Sequence, residues 1–217
     1  MDDDQRGGRV LLVDDDAMIR MLASESLRHA GFAVSEADCG EQAVRLFDAQ
    51  EFDLIVLDVM MPGVDGYQVS RRIRQHERGQ WLPILMLTGL NDGESIELAY
   101  RSGATDFINK PVNWLLLTQR VRYGMRSGQA IQAVQHSQQR LAHAQRLARM
   151  GSWEWSVAEA RFACSDEMLR LFGGDWQLAG AATLDGFLAS VRESDRALVA
   201  SARRALLIDG QPYQLTY

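Results

Sequence analysis

Lysine is nearly absent from this chain. Of 23 basic side chains in 217 residues, all but Lys110 are arginine. In a chain that draws its surface charge from arginine, the one ammonium, a compact point charge where guanidinium is a wide planar fork, invites a site-specific explanation. Cysteine is scarce as well. Cys39 and Cys164 lie far apart without metal-ligand spacing. That argues against a disulfide framework and suits a reducing compartment. No apolar run approaches the ~20 residues that cross a bilayer. The opening Met1-Asp2-Asp3-Asp4 is the reverse of a basic signal-peptide start. The expectation is a soluble, cytoplasmic protein with no membrane association.

The net charge of -6 is unevenly spread. Residues 1–118 hold 11 basic and 20 acidic side chains, and residues 151–217 hold six and nine. Between them, residues 119–150 hold six arginines and no acid. Arginines this dispersed read as one solvated helix rather than a nucleic-acid surface. No helix-turn-helix is apparent, so no direct DNA binding is expected of these residues.

What is present centres on Asp53-Leu54-Ile55-Val56-Leu57-Asp58-Val59-Met60-Met61-Pro62-Gly63-Val64-Asp65-Gly66. Leu54 to Leu57 are apolar without alternation, as in a strand buried on both faces. Asp58 sits where that strand ends, and turn residues follow. A carboxylate there is costly unless it is paired, metal-bound or used. The same pattern recurs. Arg9 to Val13 ends in Asp14-Asp15-Asp16, Phe32 to Glu36 is a further strand, Pro83 to Leu87 ends in Thr88-Gly89, and Thr105 to Ile108 ends in Asn109-Lys110-Pro111. Amphipathic helices are predicted over Ala17–Ala30, Gly40–Gln50, Gly66–Arg78 and Glu94–Arg101, with a last one from Trp114 to Val121.

Five strands alternating with five helices imply a doubly wound parallel sheet with right-handed crossovers. Ligands of such sheets bind at the carboxyl ends of the strands, next to the point where strand order reverses. If the first and third strands are neighbours, as in the flavodoxin-like order, Asp14, Asp15 and Asp58 share one pocket. Their mutual repulsion calls for a cation, Mg²⁺ or Mn²⁺ by the hardness of the oxygen ligands. An aspartate beside such an ion can act as a nucleophile toward phosphorus, with Lys110 and the Thr88 hydroxyl on the phosphoryl oxygens.

Residues 9–122 resemble the receiver domain of two-component response regulators. The matching pieces are Val10-Leu11-Leu12-Val13-Asp14-Asp15, Asp58 with Met60-Met61-Pro62-Gly63 and Asp65-Gly66, Leu87-Thr88-Gly89, and Phe107-Ile108-Asn109-Lys110-Pro111. The resemblance implies that Asp58 is the phosphoacceptor and that Asp14, Asp15, Asp58 and the Met60 backbone carbonyl hold the metal. Thr88 and Lys110 would contact the phosphoryl group, and Thr88 and Phe107 would form a switch pair. The implied partner is a histidine kinase or phosphotransfer protein. Met60 and Leu90 flank the expected path of attacking water, so a long-lived phosphoryl group is predicted.

The division expected from sequence is a disordered acidic tail over 1–8, a receiver over 9–122, a helical linker over 123–150 and the first part of a truncated PAS domain over 151–217. Ile131, Val134 and Leu141 mark a sparse heptad seam in the linker, a route to a homodimer through 123–150. Gly124 and Gly128 read as a hinge. The PAS resemblance rests on Gly151-Ser152-Trp153-Glu154-Trp155, Ser165-Asp166-Glu167 and Glu193-Ser194-Asp195-Arg196. Helices are expected over Asp166–Phe172, Thr183–Val191 and Asp195–Ile208, and a strand over Pro212–Tyr217. No histidine occurs in 151–217 and no flavin motif is visible, so neither haem nor flavin is expected.

The functional expectation is therefore a phosphoacceptor module of a phosphorelay, not an enzyme in itself. It would signal through the linker to the PAS region and a C-terminal output such as cyclic-di-GMP turnover. The alternatives are the receiver–PAS part of a hybrid sensor histidine kinase, or an aspartyl-nucleophile phosphatase. The phosphatase pattern Asp-x-Asp-x-Thr is broken here, because Met18 follows Asp14-Asp15-Asp16-Ala17.

Overall fold

A computed structural model describes residues 7–89, 93–156, 159, 161–171, 186, 189 and 191–209. Contacts divide the chain into two units, Met1–Gln135 and His136–Tyr217.

The first unit alternates strands and helices, and its last helix continues past Gln135. The order is β1 (Gly7–Val13), α1 (Ala17–His29), β2 (Phe32–Ala37), α2 (Gly40–Ala49), β3 (Leu54–Asp58), α3 (Gly66–Gln75), β4 (Ile84–Thr88), α4 (Gly93–Arg101), β5 (Asp106–Asn109) and α5 (Trp114–Ala148). The strands form one parallel sheet in the order β2-β1-β3-β4-β5. This is the flavodoxin-like arrangement read from the sequence. Every residue of β3 and β4 is buried, as expected of central strands covered on both faces. Alternate side chains feed two cores. Leu11, Val13, Ile55, Leu57 and Met86 pack with residues of α2 and α3. Val10, Leu12, Leu54, Val56, Leu85 and Leu87 pack with Leu27 of α1 and Leu117, Val121 and Met125 of α5.

Three departures from the sequence reading have physical causes. First, β1 starts at Gly7, inside the expected tail, and residues 1–6 lie outside the described residues. Glycine is a poor strand former, but a side chain at Gly7 would run into the Gly31 carbonyl and one at Gly8 into Asp53 and Met125. Second, the helix expected to reach Arg78 ends at Gln75, and Glu77–Gly79 form a separate 3₁₀ turn. His76 is extended, and the Arg74 guanidinium draws in the carbonyls of Gly79, Leu82 and Gly103. Third, α5 runs unbroken through Gly124 and Gly128. These glycines are contact points: a Cβ at Gly124 would lie 2.9 Å from Leu54 Cδ1, and one at Gly128 2.7 Å from Pro83 Cγ.

In the second unit, β6 (Trp153–Ser156) and β7 (Arg161–Cys164) form an antiparallel hairpin. α6 (Asp166–Leu171) follows directly, and α7 covers Glu193–Asp209. Ser165 caps α6, its Oγ accepting from the N–H of Met168 at 3.3 Å and of Ser152 at 3.0 Å. The helix expected over Thr183–Val191 falls almost wholly outside the described residues, and the strand over Pro212–Tyr217 falls entirely outside them.

Candidate active site at the carboxyl ends of the strands

β1 and β3 are adjacent and in register, Val13 against Leu57. Asp58 is the last residue of β3, and Asp14 follows the last residue of β1. Both are buried, whereas Asp15 is exposed. One carboxylate oxygen from each of the three lies within 4.8 Å of the others. Lys110 follows β5 and reaches across the sheet end. Its Nζ is 3.0 Å from Asp14 Oδ2 and 2.9 Å from Asp58 Oδ2. Its backbone N–H donates to the Thr88 carbonyl at 2.7 Å, which seats it beside the end of β4.

Each of the two buried acids is fixed from more than one side. Asp14 Oδ1 accepts from the Asp16 N–H at 2.9 Å, and Asp58 Oδ1 accepts a longer bond of 3.4 Å from the Met60 N–H. Gly66 brings the start of α3 against β3, its N–H donating to the Val59 carbonyl at 3.0 Å. A Cβ there would lie 2.2 Å from the Asp58 carbonyl oxygen, so only glycine permits that approach. Asp65 next to it is a helix cap, accepting from Gln68 N–H at 2.8 Å.

Burial raises the Asp58 carboxyl above its ordinary pKa, and the Asp14 charge adds to this, while the Lys110 hydrogen bond pulls the other way. Burial also works against the Lys110 charge, but its contacts with Asp58 and Asp14 outweigh that and raise its pKa. One ammonium among three carboxylates leaves negative charge over. Hard oxygen donors gathered so closely, two of them buried, suit a small divalent cation such as Mg²⁺ or Mn²⁺.

The structure thus brings together Asp14, Asp15, Asp58 and Lys110. Thr88 is buried at the neighbouring strand end, and Met60 is exposed in the turn after Asp58. Phe107 is half-buried on β5 and packs edge-to-face on Tyr100 of α4, ring centroids 6.0 Å apart. Leu90 lies outside the described residues. Sequence reasoning missed Arg20, which reads as an ordinary helix-surface charge. Its Nη1 donates to the Asp14 carbonyl at 2.7 Å.

Comparisons with known proteins agree with the fold of the first unit. The family model for the response regulator receiver domain matches residues 10–122. The transcriptional regulatory protein AfsQ1 of Streptomyces coelicolor is 42% identical over 120 residues, 55% of this chain and 52% of that protein. The DNA-binding regulator RpaA of Synechocystis is 39% identical over 131 residues, 60% of this chain and 54% of its own. The chain therefore spans about half the length of these curated relatives. Among solved structures, the receiver domain of a Pseudomonas aeruginosa sensor histidine kinase, which carries a coordinated magnesium ion in its active-site cleft, is 31% identical. It covers 55% of this chain and 98% of that one at a TM-score of 0.52. The chemotaxis protein CheY4 of Vibrio cholerae is 32% identical, covering 54% and 98% at 0.53.

Proposed function

The chain belongs to the response regulator receiver family, and on that premise we propose that Asp58 accepts a phosphoryl group from the phosphohistidine of a histidine kinase or phosphotransfer protein. The observation that carries this reading is the reach of Lys110, the sole lysine, to both buried carboxylates. An Asp58 oxygen forms the new bond to phosphorus as the bond from phosphorus to the histidine nitrogen breaks, and the imidazole keeps the electron pair and takes up a proton. Lys110 follows the charge from the carboxylate onto a phosphoryl oxygen, and the Thr88 hydroxyl donates to another. Asp14, Asp15, Asp58 and the Met60 carbonyl would hold Mg²⁺ or Mn²⁺, which would supply positive charge for the remaining phosphoryl oxygen.

Once phosphate is present, Thr88 moves toward it and Phe107 turns inward, which changes the surface around α4, β5 and α5. The 35-residue α5 supports transmission from there. Ile131, Val134 and Leu141 are exposed along it, and a second copy pairing over 123–150 would cover them. The β6–β7 hairpin and the capped α6 support a PAS-like second unit as recipient, with output beyond it by cyclic-di-GMP turnover or a kinase.

Incubation with a small phosphodonor and Mg²⁺, read by intact mass, tests the proposal. One stable added phosphate that is lost in Asp58→Asn is expected. Turnover of the donor without accumulation would indicate a phosphatase, and no reaction would overturn the proposal.

A further inference from the structure

We infer that Arg20 is a positioning residue for the metal ligands, acting from behind the acidic turn through the backbone. The inference rests on the phosphoacceptor reading of the site. Consecutive residues in a strand point to opposite faces. For the carboxylates of Asp14 and Asp15 to converge on Asp58, the chain must leave the pleat at Asp14, whose N–H makes the last bond to β2, at 3.3 Å from the Ala37 carbonyl. That takes the Asp14 and Asp15 carbonyls out of the sheet ladder and leaves two acceptors to be satisfied on the far side of the turn. Arg20, one turn into α1, faces both. Its Nη1 is 2.7 Å from the Asp14 carbonyl oxygen and 3.4 Å from that of Asp15.

The guanidinium is itself held. Its Nε lies 3.9 Å from Glu36 Oε2 on β2. Glu36 is fixed in turn, with Oε1 accepting from Ser24 Oγ at 2.7 Å and Arg28 Nη2 at 2.9 Å. The Arg20 side chain is only 19% exposed. The chain Glu36–Arg20–carbonyl oxygen therefore ties the acidic turn to the edge strand. Asp14 already has Lys110 and the Asp16 N–H as partners. Asp15 is exposed, so Arg20 matters most for where Asp15 stands.

Partners that orient ligands from behind are worth about 10–100-fold in metal affinity. Mn²⁺ binding to the whole chain, followed by electron paramagnetic resonance, reads this directly. Arg20→Gln is expected to weaken Mn²⁺ binding by about tenfold. The half-saturating metal concentration for phosphorylation should rise by the same factor, with the plateau rate unchanged. Arg20→Lys, which keeps the positive charge and one donor nitrogen, should recover part of the affinity. Glu36→Gln, which leaves Arg20 intact but unanchored, should shift affinity in the same direction by less, and serves as the test if Arg20→Gln fails to fold. Lowered thermal stability with unchanged Mn²⁺ affinity in these variants would overturn the inference. Failure of the parent chain to bind Mn²⁺, or binding unaffected by Asp14→Asn, would instead overturn the underlying reading of the site.

Discussion

Replacing Gly128 by alanine sets two physical accounts of α5 against each other. If the glycine were a hinge, alanine would stabilise the helix by about 1 kcal/mol. The packing says the reverse. The new methyl would sit 2.7 Å from Pro83 Cγ and 3.0 Å from Cδ, where ordinary contact begins at 3.4 Å. Pro83 is buried and its ring is rigid, so the helix must lift or β4 must shift. Overpacking of this kind typically costs about 1–3 kcal/mol. Set against the propensity gain, the net expectation is a loss of up to about 2 kcal/mol. Gly124→Ala should lose less, because Leu54 Cδ1 at 2.9 Å is the end of a side chain and can turn. Urea unfolding followed by tryptophan fluorescence is the assay, with Trp81 two residues before Pro83. Adding Pro83→Ala to Gly128→Ala should recover stability beyond the sum of the single changes, by about 1 kcal/mol. A Gly128→Ala chain more stable than its parent by about 1 kcal/mol would refute the packing account.

Three further outcomes follow from the geometry. Lys110→Ala should slow phosphoryl uptake by about 10²–10³-fold, with no rescue by arginine, and a mass-spectrometric time course will read it. Met60 is 64% exposed in the turn after Asp58, so Met60→Ala should admit water and hasten loss of phosphate from the phosphorylated chain; equal lifetimes would count against the shielding idea. Arg74 is held by the carbonyls of Gly79, Leu82 and Gly103, and burial lowers its pKa to about 10, which leaves it charged at neutral pH. Arg74→Met should cost about 3 kcal/mol in urea unfolding by stranding those acceptors.

The parts of the fold that could be read in advance share one property: local sequence states the environment. Leu54 to Leu57 and Ile84 to Leu87 are apolar without alternation because both faces are covered. Asp14, Asp58, Thr88 and Lys110 stand out because polar residues end such runs. What escaped depends on contacts made far along the chain. Gly7 and Gly8 look like a tail until Gly31 and Met125 are seen against them. Gly124 and Gly128 look like a weak point until Leu54 and Pro83 occupy the space. Arg20 resembles any helix-surface charge until the Asp14 and Asp15 carbonyls turn toward it. The end of α3 was misjudged because Arg74 recruits carbonyls from three separate segments, which no periodicity records.

A 217-residue chain with one ε-amine, set among the carboxylates of its candidate site, holds a built-in reporter. Lys110 is partly accessible, its side chain 22% exposed, and its nitrogen is engaged by two aspartates. Apart from the α-amine, reductive methylation of these residues will report on this one nitrogen. Its labelling rate, or the chemical shift of a single ¹³C-methyl group, should follow phosphate arrival and departure without any engineered probe.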